Sequence, residues 1–400
     1  MKRYLVGGAV RDQLLGLTPR ERDWLVTDTS IEELLSLGYQ QVGRDFPVFL
    51  DPIAKEEHAL PRGGSETLST REQIEQDLIH RDLTINAMAL DENNRLIDPL
   101  NGRQDLEQRL LRHTPALFDD PIRVLRLARF AARYARLGFQ VAEETVIAVR
   151  DRVASGLLEN LVAERVWKET ERAILGPVPS HFFQTLRQLN ALAVIFPELD
   201  RLFGVPQPKQ HHPEIDTGLH VMMVLDRACE LSDDGAIRFA ALMHDLGKGT
   251  TPPEEWPRHI AHEKRGVKLV DQLCDRLRVP NEHRTLAKQV AEYHTRCHRA
   301  LELKPGKVLK LLEVTGSLQR PERLDAFLTA CQADMQGRTG FEQALYPQAD
   351  YLRAMHKAAH QVETRGLISE DMSGEAIKQR ITQARVHAIA AAKHQYEARD

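Results

Sequence analysis

Two short runs near the start of the sequence have the composition of a phosphate-binding and metal-binding site. The run from Gly7 to Asp12 (GGAVRD) follows the apolar segment Tyr4–Val6, and Glu21 and Asp23 come shortly after it. A strand that leads into paired glycines lets backbone N–H groups approach a triphosphate closely. If residues 23–26 form a strand, the two carboxylates share one face of it and can bind Mg²⁺. The pattern predicts phosphoryl or nucleotidyl transfer.

A second candidate site is a row of arginines that follows Asp119 and Asp120. At 100° per residue they share one side of a helix, and alanines and leucines occupy the rest. The row consists of Arg123, Arg126, Arg129, Arg133 and Arg136. A solvated basic face is the simpler interpretation. The position of the row, directly behind two aspartates and a phosphate-binding segment, favours contact with a nucleotide or a nucleic acid.

A third group of residues, in the second half of the chain, has the composition of a metal centre. His220 precedes the pair His244-Asp245, and His259 and His262 follow. Histidine and carboxylate ligands that gather from successive helices are typical of divalent transition-metal sites. A lone His-Asp pair is common by chance, so the order of all three residues carries the prediction.

Composition limits the class of protein. Four hundred residues predict two to four domains, and no apolar run is long enough to span a membrane. The start runs directly into a strand instead of a signal peptide, which predicts a cytoplasmic protein. A net charge of −4 argues against indiscriminate binding to DNA or RNA, although local basic patches remain. The four cysteines form no Cys-x-x-Cys pair, so neither a zinc knuckle nor a disulfide framework is expected.

The sequence pattern around these residues predicts an α+β protein. Strand-like segments at 4–6, 24–26, 48–50 and 88–90 alternate with amphipathic ones such as 31–37, which indicates a small mixed-sheet head over residues 1–114. Helical periodicity dominates afterwards. We expect a helical region over 115–205, a helical domain around His244-Asp245 over 206–335 and a helical tail over 336–400.

Together these motifs resemble the bacterial CCA-adding enzymes, the class II tRNA nucleotidyltransferases, in the form that carries an HD domain. The resemblance covers nearly the whole chain, and it implies a nucleotidyltransferase head over 1–114, a nucleotide- and tRNA-binding region over 115–205 and an HD domain over 206–335. Besides GGAVRD and Glu21-x-Asp23, it rests on HRDLTINA at 80–87, DPLNG at 98–102, DDPIRVLR at 119–126, WKET at 167–170 and HDLGKG at 244–249. It implies addition of CCA to the 3′ end of tRNA from CTP and ATP, with possible phosphohydrolase activity at the HD site.

The resemblance also implies roles for individual residues. Glu21 and Asp23 would hold Mg²⁺, and Gly8 and Arg11 would steady the triphosphate. Arg81 would contact the nucleotide; the simpler interpretation is a surface pair with Asp77 or Asp82. The HD metal, Ni²⁺ or another divalent transition metal, would be bound by His220, His244 and Asp245.

The arginine row would select the base. Asp120 would accept a hydrogen bond from the exocyclic amine that C and A share, while Arg123 would donate to ring acceptors, so that U and G would be mispaired. Arg126 and Arg129 are implied as phosphate and nucleotide contacts.

Three departures from the family pattern leave more than one function open. Glu21 replaces an aspartate, the segment Pro61–Ser69 is shorter than the family's flexible loop and has no aromatic residue, and Thr295 follows His294 where the family has Asp. The shortened loop is compatible with an enzyme that adds only CC. A 2′,3′-cyclic phosphodiesterase or phosphatase with a decayed head is a further candidate, and so is a non-catalytic RNA-binding remnant. Poly(A) polymerases share the head, but in bacteria they usually lack an HD domain.

Overall fold

The computed structural model describes residues 1–19, 21–42, 47–62, 68–210, 213–368 and 372–398. The chain divides into two compact units. The first comprises residues 1–161 and 181–191, and the second comprises residues 162–180 and 192–400.

A mixed sheet organises the first unit. In spatial order its seven described strands are β3-β4-β5-β2-β1-β6-β7, and only the β2–β5 pair is parallel. Strands β8 and β9 form a separate parallel pair. The strands are β1 (Lys2–Val6), β2 (Asp23–Thr27), β3 (Gln40–Val42), β4 (Val48–Leu50), β5 (Glu57–Ala59), β6 (Ala89–Leu90), β7 (Leu96–Ile97), β8 (Leu110–Leu111) and β9 (Gln140–Val141).

The first unit also contains helices. Their bounds are α1 (Gly8–Leu14), α2 (Ile31–Ser36), α3 (Thr70–Ile79), α4 (Gly102–Gln108), α5 (Arg123–Tyr134) and α6 (Glu143–Ala154). Helix α3 begins with a capping box, in which Ser69 and Glu72 satisfy each other's backbone N–H groups. Its buried face, Ile74 and Leu78, packs with Val6 and Leu25 of the sheet. This packing fixes the strand ends on which the first candidate site is built.

The second unit is helical throughout the part that the structure describes. Its helices are α7 (Ala163–Ile174), α9 (Leu192–Ile195), α10 (Pro197–Asp200), α11 (Thr217–Leu231), α12 (Gly235–Met243), α13 (His262–Leu277), α14 (Asn281–His298), α15 (Pro305–Val314), α16 (Glu322–Gln336), α17 (Pro347–His360) and α18 (Gly374–Glu397); α8 (Pro179–Gln188) contributes to both units. No described helix combines the length and apolar character needed to cross a membrane.

The predicted fold class is confirmed: a small mixed-sheet head, a helical body and a helical domain around the His-Asp pair. The predicted strands at 4–6, 24–26, 48–50 and 88–90 correspond to β1, β2, β4 and β6. The boundaries at 114, 205 and 335 stay predictions. Of the shortened segment 61–69, residues 63–67 lie outside the described part of the chain.

Candidate active sites

The glycine-rich turn joins β1 to α1 and is shaped by Arg81. Gly7 has φ +67°, and a Cβ there would lie 2.5 Å from Nη1 of Arg81, so only glycine allows the guanidinium to come this close. Arg81 also donates a 3.2 Å hydrogen bond to Asp77. The expected pairing of Arg81 with Asp77 is therefore present, yet the same guanidinium lies against the turn proposed to hold phosphates.

Arg11 and Asp12 face the protein interior. Arg11 is 2% exposed and donates to Asn86 Oδ1 and, at 2.9 Å, to Asp12 Oδ1. Asp12 also accepts from Arg133 at 3.0 Å and from the Tyr134 hydroxyl at 2.9 Å. In this arrangement Arg11 ties the glycine turn to α5. The predicted direct contact of its guanidinium with a triphosphate stays a prediction.

Three carboxylates at the edge formed by β2 and β5 lie close enough to influence one another's ionisation. Asp23 is the first residue of β2, Glu57 is its partner in the parallel register, and Glu21 lies just before the strand. Burial raises the pKa of Asp23, Arg81 opposes this and Glu21 adds to it. Burial also raises the pKa of Glu57, and Asp23 and Glu21 raise it further. A divalent cation would relieve this mutual repulsion, so the donor set fits Mg²⁺.

Glu57 was missed by the sequence analysis. No local pattern marks it, because its proximity to Asp23 comes from the parallel pairing of two strands that are separated by β3 and β4 in the chain. The sequence shows only a glutamate at the start of a short segment. It does not show that this segment pairs with the strand that carries Asp23.

The arginine row forms the partly exposed side of α5, as predicted. Val124, Leu125, Leu127, Ala128 and Ala131 on the other side are buried. The helix ends at Tyr134, so Arg136 lies beyond it in a short 3₁₀ turn.

Helix α5 is held to the head by buried polar contacts. Arg126 donates to Asp82 at 2.8 Å, and Asn86 donates to the other oxygen of Asp82 at 2.9 Å. Burial alone would raise the pKa of Asp82, but Arg126 and Asn86 outweigh it and lower that pKa. Arg123 donates to the carbonyl oxygens of His80, at 3.1 Å, and Ala116.

Asp120 and Arg129 are the other two residues predicted to read the base or to contact phosphates. Asp120 lies three residues before the start of α5 and accepts a 3.3 Å hydrogen bond from the Ile122 N–H. The Arg129 guanidinium lies 4.8 Å from the centre of the Phe130 ring. Arg123 begins α5, whereas Asp120 has an extended backbone and follows the 3₁₀ turn at Pro115–Asp119, so the two residues do not share a helical turn. Their role in reading the base stays a prediction.

In the second unit, capped helices deliver the predicted HD residues to one buried cluster. Asp216 caps α11 and places His220 in its first turn, while Asp234 caps α12, which ends just before His244 and Asp245. All three of the predicted side chains are at most 1% exposed.

Asp334 of α16 completes this cluster and was missed by the sequence analysis. Its Oδ1 lies 3.2 Å from Nε2 of His220 and 3.7 Å from Nε2 of His244. The expectation that the last acidic ligand would fall at Thr295, and be absent, is corrected by this geometry. Asp334 is one of many acidic residues on predicted helices, so only the packing of α16 against α11 distinguishes it.

A second group of potential ligands adjoins the first. Oδ1 of Asp245 lies 3.4 Å from Nε2 of His262 and 3.6 Å from Nε2 of His294. His262 comes this close because Gly247 has no side chain: a Cβ there would lie 1.9 Å from the His262 carbonyl oxygen. The two groups, His220-His244-Asp334 and Asp245-His262-His294, each have three ligand atoms within 4.8 Å of one another.

Electrostatics in this cluster favour a bound cation. Burial would raise the pKa of Asp245, but His244 and Lys248 outweigh it and hold the pKa well below its ordinary value. Burial lowers the pKa of His294 to about 3, so this imidazole is neutral at physiological pH. Asp245 and His294 are therefore in the protonation states that metal binding requires. Burial would lower the pKa of His244, but Asp245 and Asp334 outweigh it and raise that pKa, so a bound metal ion would displace a proton from this imidazole.

The two sites define a class of protein: a nucleotidyltransferase head joined to a helical HD domain. Residues 53–112 match the family described as the poly A polymerase head domain. Residues 138–203 match the probable RNA and SrmB-binding site of polymerase A, and residues 217–326 match the HD domain.

Full-length comparisons identify the family. The chain is 56% identical to the multifunctional CCA protein of Thioalkalivibrio sulfidiphilus, over 97% of this chain and 98% of that protein. The chain therefore belongs to the multifunctional CCA protein family, whose members use divalent metals.

Solved structures share the fold. A CCA-adding enzyme in complex with CTP has a TM-score of 0.65 and 20% identity, covering 97% of this chain and 87% of that one. The Thermotoga maritima CCA-adding enzyme in complex with tRNA has a TM-score of 0.61 and 17% identity, covering 99% of this chain and 91% of that one. At these identities the likeness concerns the fold.

Proposed function

We propose that this protein rebuilds the 3′ end of tRNA by adding CCA from CTP and ATP, with Mg²⁺ at the carboxylate edge of the head. The observation that carries the proposal is the electrostatic coupling of Glu21, Asp23 and Glu57 at the edge of β2 and β5, next to Arg81, which also lies against the glycine turn at Gly7. Membership of the multifunctional CCA protein family supports the reaction and its substrates. A cytoplasmic location stays a prediction.

The chemistry is an in-line displacement. The terminal 3′-oxygen of tRNA bonds to the α-phosphorus of the nucleotide, the bond to the bridging oxygen of the β-phosphate breaks, and pyrophosphate leaves. Bound Mg²⁺ supplies charge neutralisation and activation of the hydroxyl. Asp23 and Glu21 would hold it, and Glu57 would add a third carboxylate.

Base selection belongs to the start of α5. Arg123 is held by two backbone carbonyl oxygens and Asp120 by the Ile122 N–H, so both side chains are restrained before a nucleotide binds. When the wrong base binds, a fixed pair of this kind leaves a polar group without a hydrogen-bond partner. The free-energy cost of that unpaired group disfavours the wrong nucleotide. Arg81 and Arg126 would contact phosphates or sugar from neighbouring positions.

The test uses purified protein, tRNA lacking its CCA end and each labelled nucleotide separately. We expect Mg²⁺-dependent incorporation of C and then A, without U or G. Asp23→Ala should abolish it, because a metal held by the remaining carboxylates would not be positioned against both hydroxyl and phosphate. Retention of most activity by this variant would overturn the metal assignment.

The HD cluster supports a second activity, hydrolysis of 2′,3′-cyclic or 2′-phosphates. His220, His244 and Asp334 offer two imidazoles and one carboxylate to a divalent ion, with Asp245 adjacent. A bound ion of this kind supplies an activated water molecule. The test is hydrolysis of 2′,3′-cyclic AMP with Ni²⁺, Mn²⁺, Co²⁺ or Mg²⁺. We expect His244→Ala to lose it while nucleotide addition continues; absence of hydrolysis with every metal would refute this second activity.

A further inference from the structure

We propose that Asp77 is a positioning residue for nucleotide binding: its carboxylate holds the Arg81 guanidinium against the glycine turn, where that guanidinium meets the triphosphate of CTP or ATP. This role rests on the function proposed above and extends it to a residue outside the predicted site. A pair with Asp77 and a contact with the nucleotide are then not alternatives for Arg81, because the first prepares the second. Three features support the role: the partners of the two Asp77 oxygens, the direction of the Arg81 guanidinium, and the place of Asp77 in its helix.

The two oxygens of Asp77 bind different partners, so this carboxylate is fixed in orientation. Oδ2 accepts hydrogen bonds from two nitrogens of Arg81, Nη2 at 3.2 Å and Nε at 3.4 Å. Oδ1 accepts a 3.3 Å hydrogen bond from the Arg62 backbone N–H, and Nε of Arg62 lies 3.9 Å from the same oxygen. The main chain at Arg62 therefore orients the carboxylate that holds Arg81.

These bonds use one side of the Arg81 guanidinium and direct its other side to the glycine turn. Nη1, which neither bond uses, is the nitrogen that lies 2.5 Å from the place a Cβ would take at Gly7. The same guanidinium is close enough to Asp23 to oppose the rise in the pKa of that carboxyl. Because a guanidinium donates from several nitrogens in one plane, Arg81 can bind Asp77 and a phosphate oxygen at the same time.

The place of Asp77 in α3 is explained by this role and not by the stability of the helix. Asp77 lies in the last turn of α3, which contains no basic residue, and its side chain is 4% exposed. A carboxylate is unfavourable near the C-terminal end of a helix, where the backbone carbonyl groups carry partial negative charge. Burial adds a further cost, which the contacts with Arg62 and Arg81 offset.

A guanidinium that is held in advance binds a phosphate more tightly than a mobile one. An arginine side chain loses rotamer freedom when it is immobilised, and an ion pair formed before binding removes that loss from the binding step. Without Asp77, Arg81 keeps its charge but loses its direction. Nucleotide affinity should then fall about five- to tenfold, while the rate at saturating nucleotide is unchanged, because a phosphate contact of this kind is made equally in the ground state and the transition state.

Nucleotide affinity of Asp77→Asn tests this role on the full-length protein. Equilibrium binding of labelled CTP and ATP measures affinity without turnover, and steady-state addition to tRNA gives KM and kcat separately. We expect weaker binding of both nucleotides, a KM raised by the same factor, and unchanged kcat and tRNA affinity. Asp77→Glu, which keeps the charge but moves the oxygens by about 1 Å, should show a smaller loss in the same direction.

A double-mutant cycle determines whether Asp77 acts through Arg81. In the Arg81→Gln background, Asp77→Asn should change nucleotide affinity no further, since the side chain that it positions is gone. Glu75 provides a matched control, because it lies on the same helix and pairs with the exposed Arg71 at 2.8 Å. Glu75→Gln should bind CTP and ATP as the wild type does. Unchanged affinity in Asp77→Asn and Asp77→Glu, or an equal loss in both backgrounds, would overturn the inference.

The outcomes distinguish this role from the reaction on which it builds. A wild-type protein that adds no nucleotide to tRNA, but binds CTP more weakly after Asp77→Asn, would remove the proposed reaction and leave the role of Asp77 standing. CCA addition by a wild type whose nucleotide affinity is unaffected by Asp77→Asn would do the reverse.

Discussion

In the proposed mechanism Asp23 is a metal ligand, so its ionisation would decide whether the head holds a metal ion. Its pKa is raised by burial and by Glu21, and Arg81 is the group that opposes this rise. The charged carboxylate is the metal ligand, so activity is present above the pKa and is lost as pH falls through it. The acid limb of the addition reaction should therefore lie above the ordinary aspartate value of 3.8.

Removing Arg81 tests this electrostatic arrangement. In Arg81→Gln the opposing charge is gone, and the acid limb of the rate profile should move to higher pH, in addition to any loss of rate from a missing nucleotide contact. The measurement is the single-turnover rate of C addition against pH. Arg103→Gln, which removes an exposed arginine paired with Glu107, should leave the limb in place. An unchanged limb in Arg81→Gln would show that Asp23 does not control it.

Glu21 gives a second prediction at the residue scale. It lies before β2, is exposed, and carries one methylene more than the aspartate of the family pattern. A ligand displaced by about 1 Å can lower a rate about a hundredfold. We expect Glu21→Asp to increase the rate of C addition at saturating nucleotide. A slower variant would mean that the metal site has adapted to the longer side chain.

At the scale of elements, a network of buried polar contacts joins α5 to the glycine turn. Asp82 accepts hydrogen bonds from Arg126 of α5 and from Asn86. Asn86 in turn accepts a hydrogen bond from Arg11. Asp12 accepts hydrogen bonds from Arg133 and Tyr134 of α5. The carboxylates of Asp12 and Asp82 are buried, while the arginines that pair with them from α5 are about one-third exposed. Helix α5 is therefore held in place by charges as well as by its apolar face.

Substitution of Asp82 should loosen this helix. Asp82→Asn leaves Arg126 without its carboxylate, and a hydrogen bond to a charged group contributes about 2 kcal/mol, reduced here by the partial exposure of Arg126. Native-state hydrogen exchange of residues 123–134 measures the loss as faster opening. Asp151→Asn on the exposed side of α6 should have no effect.

The same substitution has a defined pH dependence. The folded-state pKa of Asp82 is lowered, so its stabilising contribution is fully present above the unfolded value near 3.8 and is lost as pH falls toward the folded pKa. The difference between wild type and Asp82→Asn should be constant from pH 7 to about 5 and shrink below 3.8. A difference that persisted unchanged at the lowest pH would assign it to packing instead of charge.

The extent to which the sequence predicts these elements depends on how local each signal is. The arginine row is marked by arginines at helical spacing, and the strand before Gly7 is marked by a short apolar run. Both signals are local in the chain, and both elements were predicted. Glu57 and Asp334 were not, because each reaches its site through packing between elements far apart in the chain: β5 against β2, and α16 against α11. The burial of Arg11 was missed for the same reason, since its partners lie on other segments.

At the scale of the whole molecule, the two compact units carry separate chemistry. The carboxylate edge lies in the first unit and the histidine cluster in the second. Loss of metal ligands in one unit should therefore leave the chemistry of the other intact. Nucleotide addition that continues in a variant of the HD cluster would therefore show that the loss is confined to the second unit.

Under the proposed function, completing the CCA end would require the head to change its base specificity from C to A. Asp120 and Arg123 are restrained by backbone contacts in one arrangement, and a second arrangement is needed to accept the larger purine. A loop that pulls on the head can act as the lever for such a change. The segment Pro61–Ser69 is short for that task and contains no aromatic residue.

We therefore expect C addition to be fast and the final A to be slower. The measurement compares single-turnover rates of CTP on tRNA lacking CCA and of ATP on tRNA ending in CC. Inserting a Gly- and Tyr-containing segment between Gly63 and Gly64 should raise the ATP rate selectively, because a longer lever can reorient Asp120 and Arg123. The same insertion between Asn93 and Asn94, in the exposed turn after β6, should change neither rate. Equal wild-type rates for C and A would show that this chain completes the CCA end without a long loop.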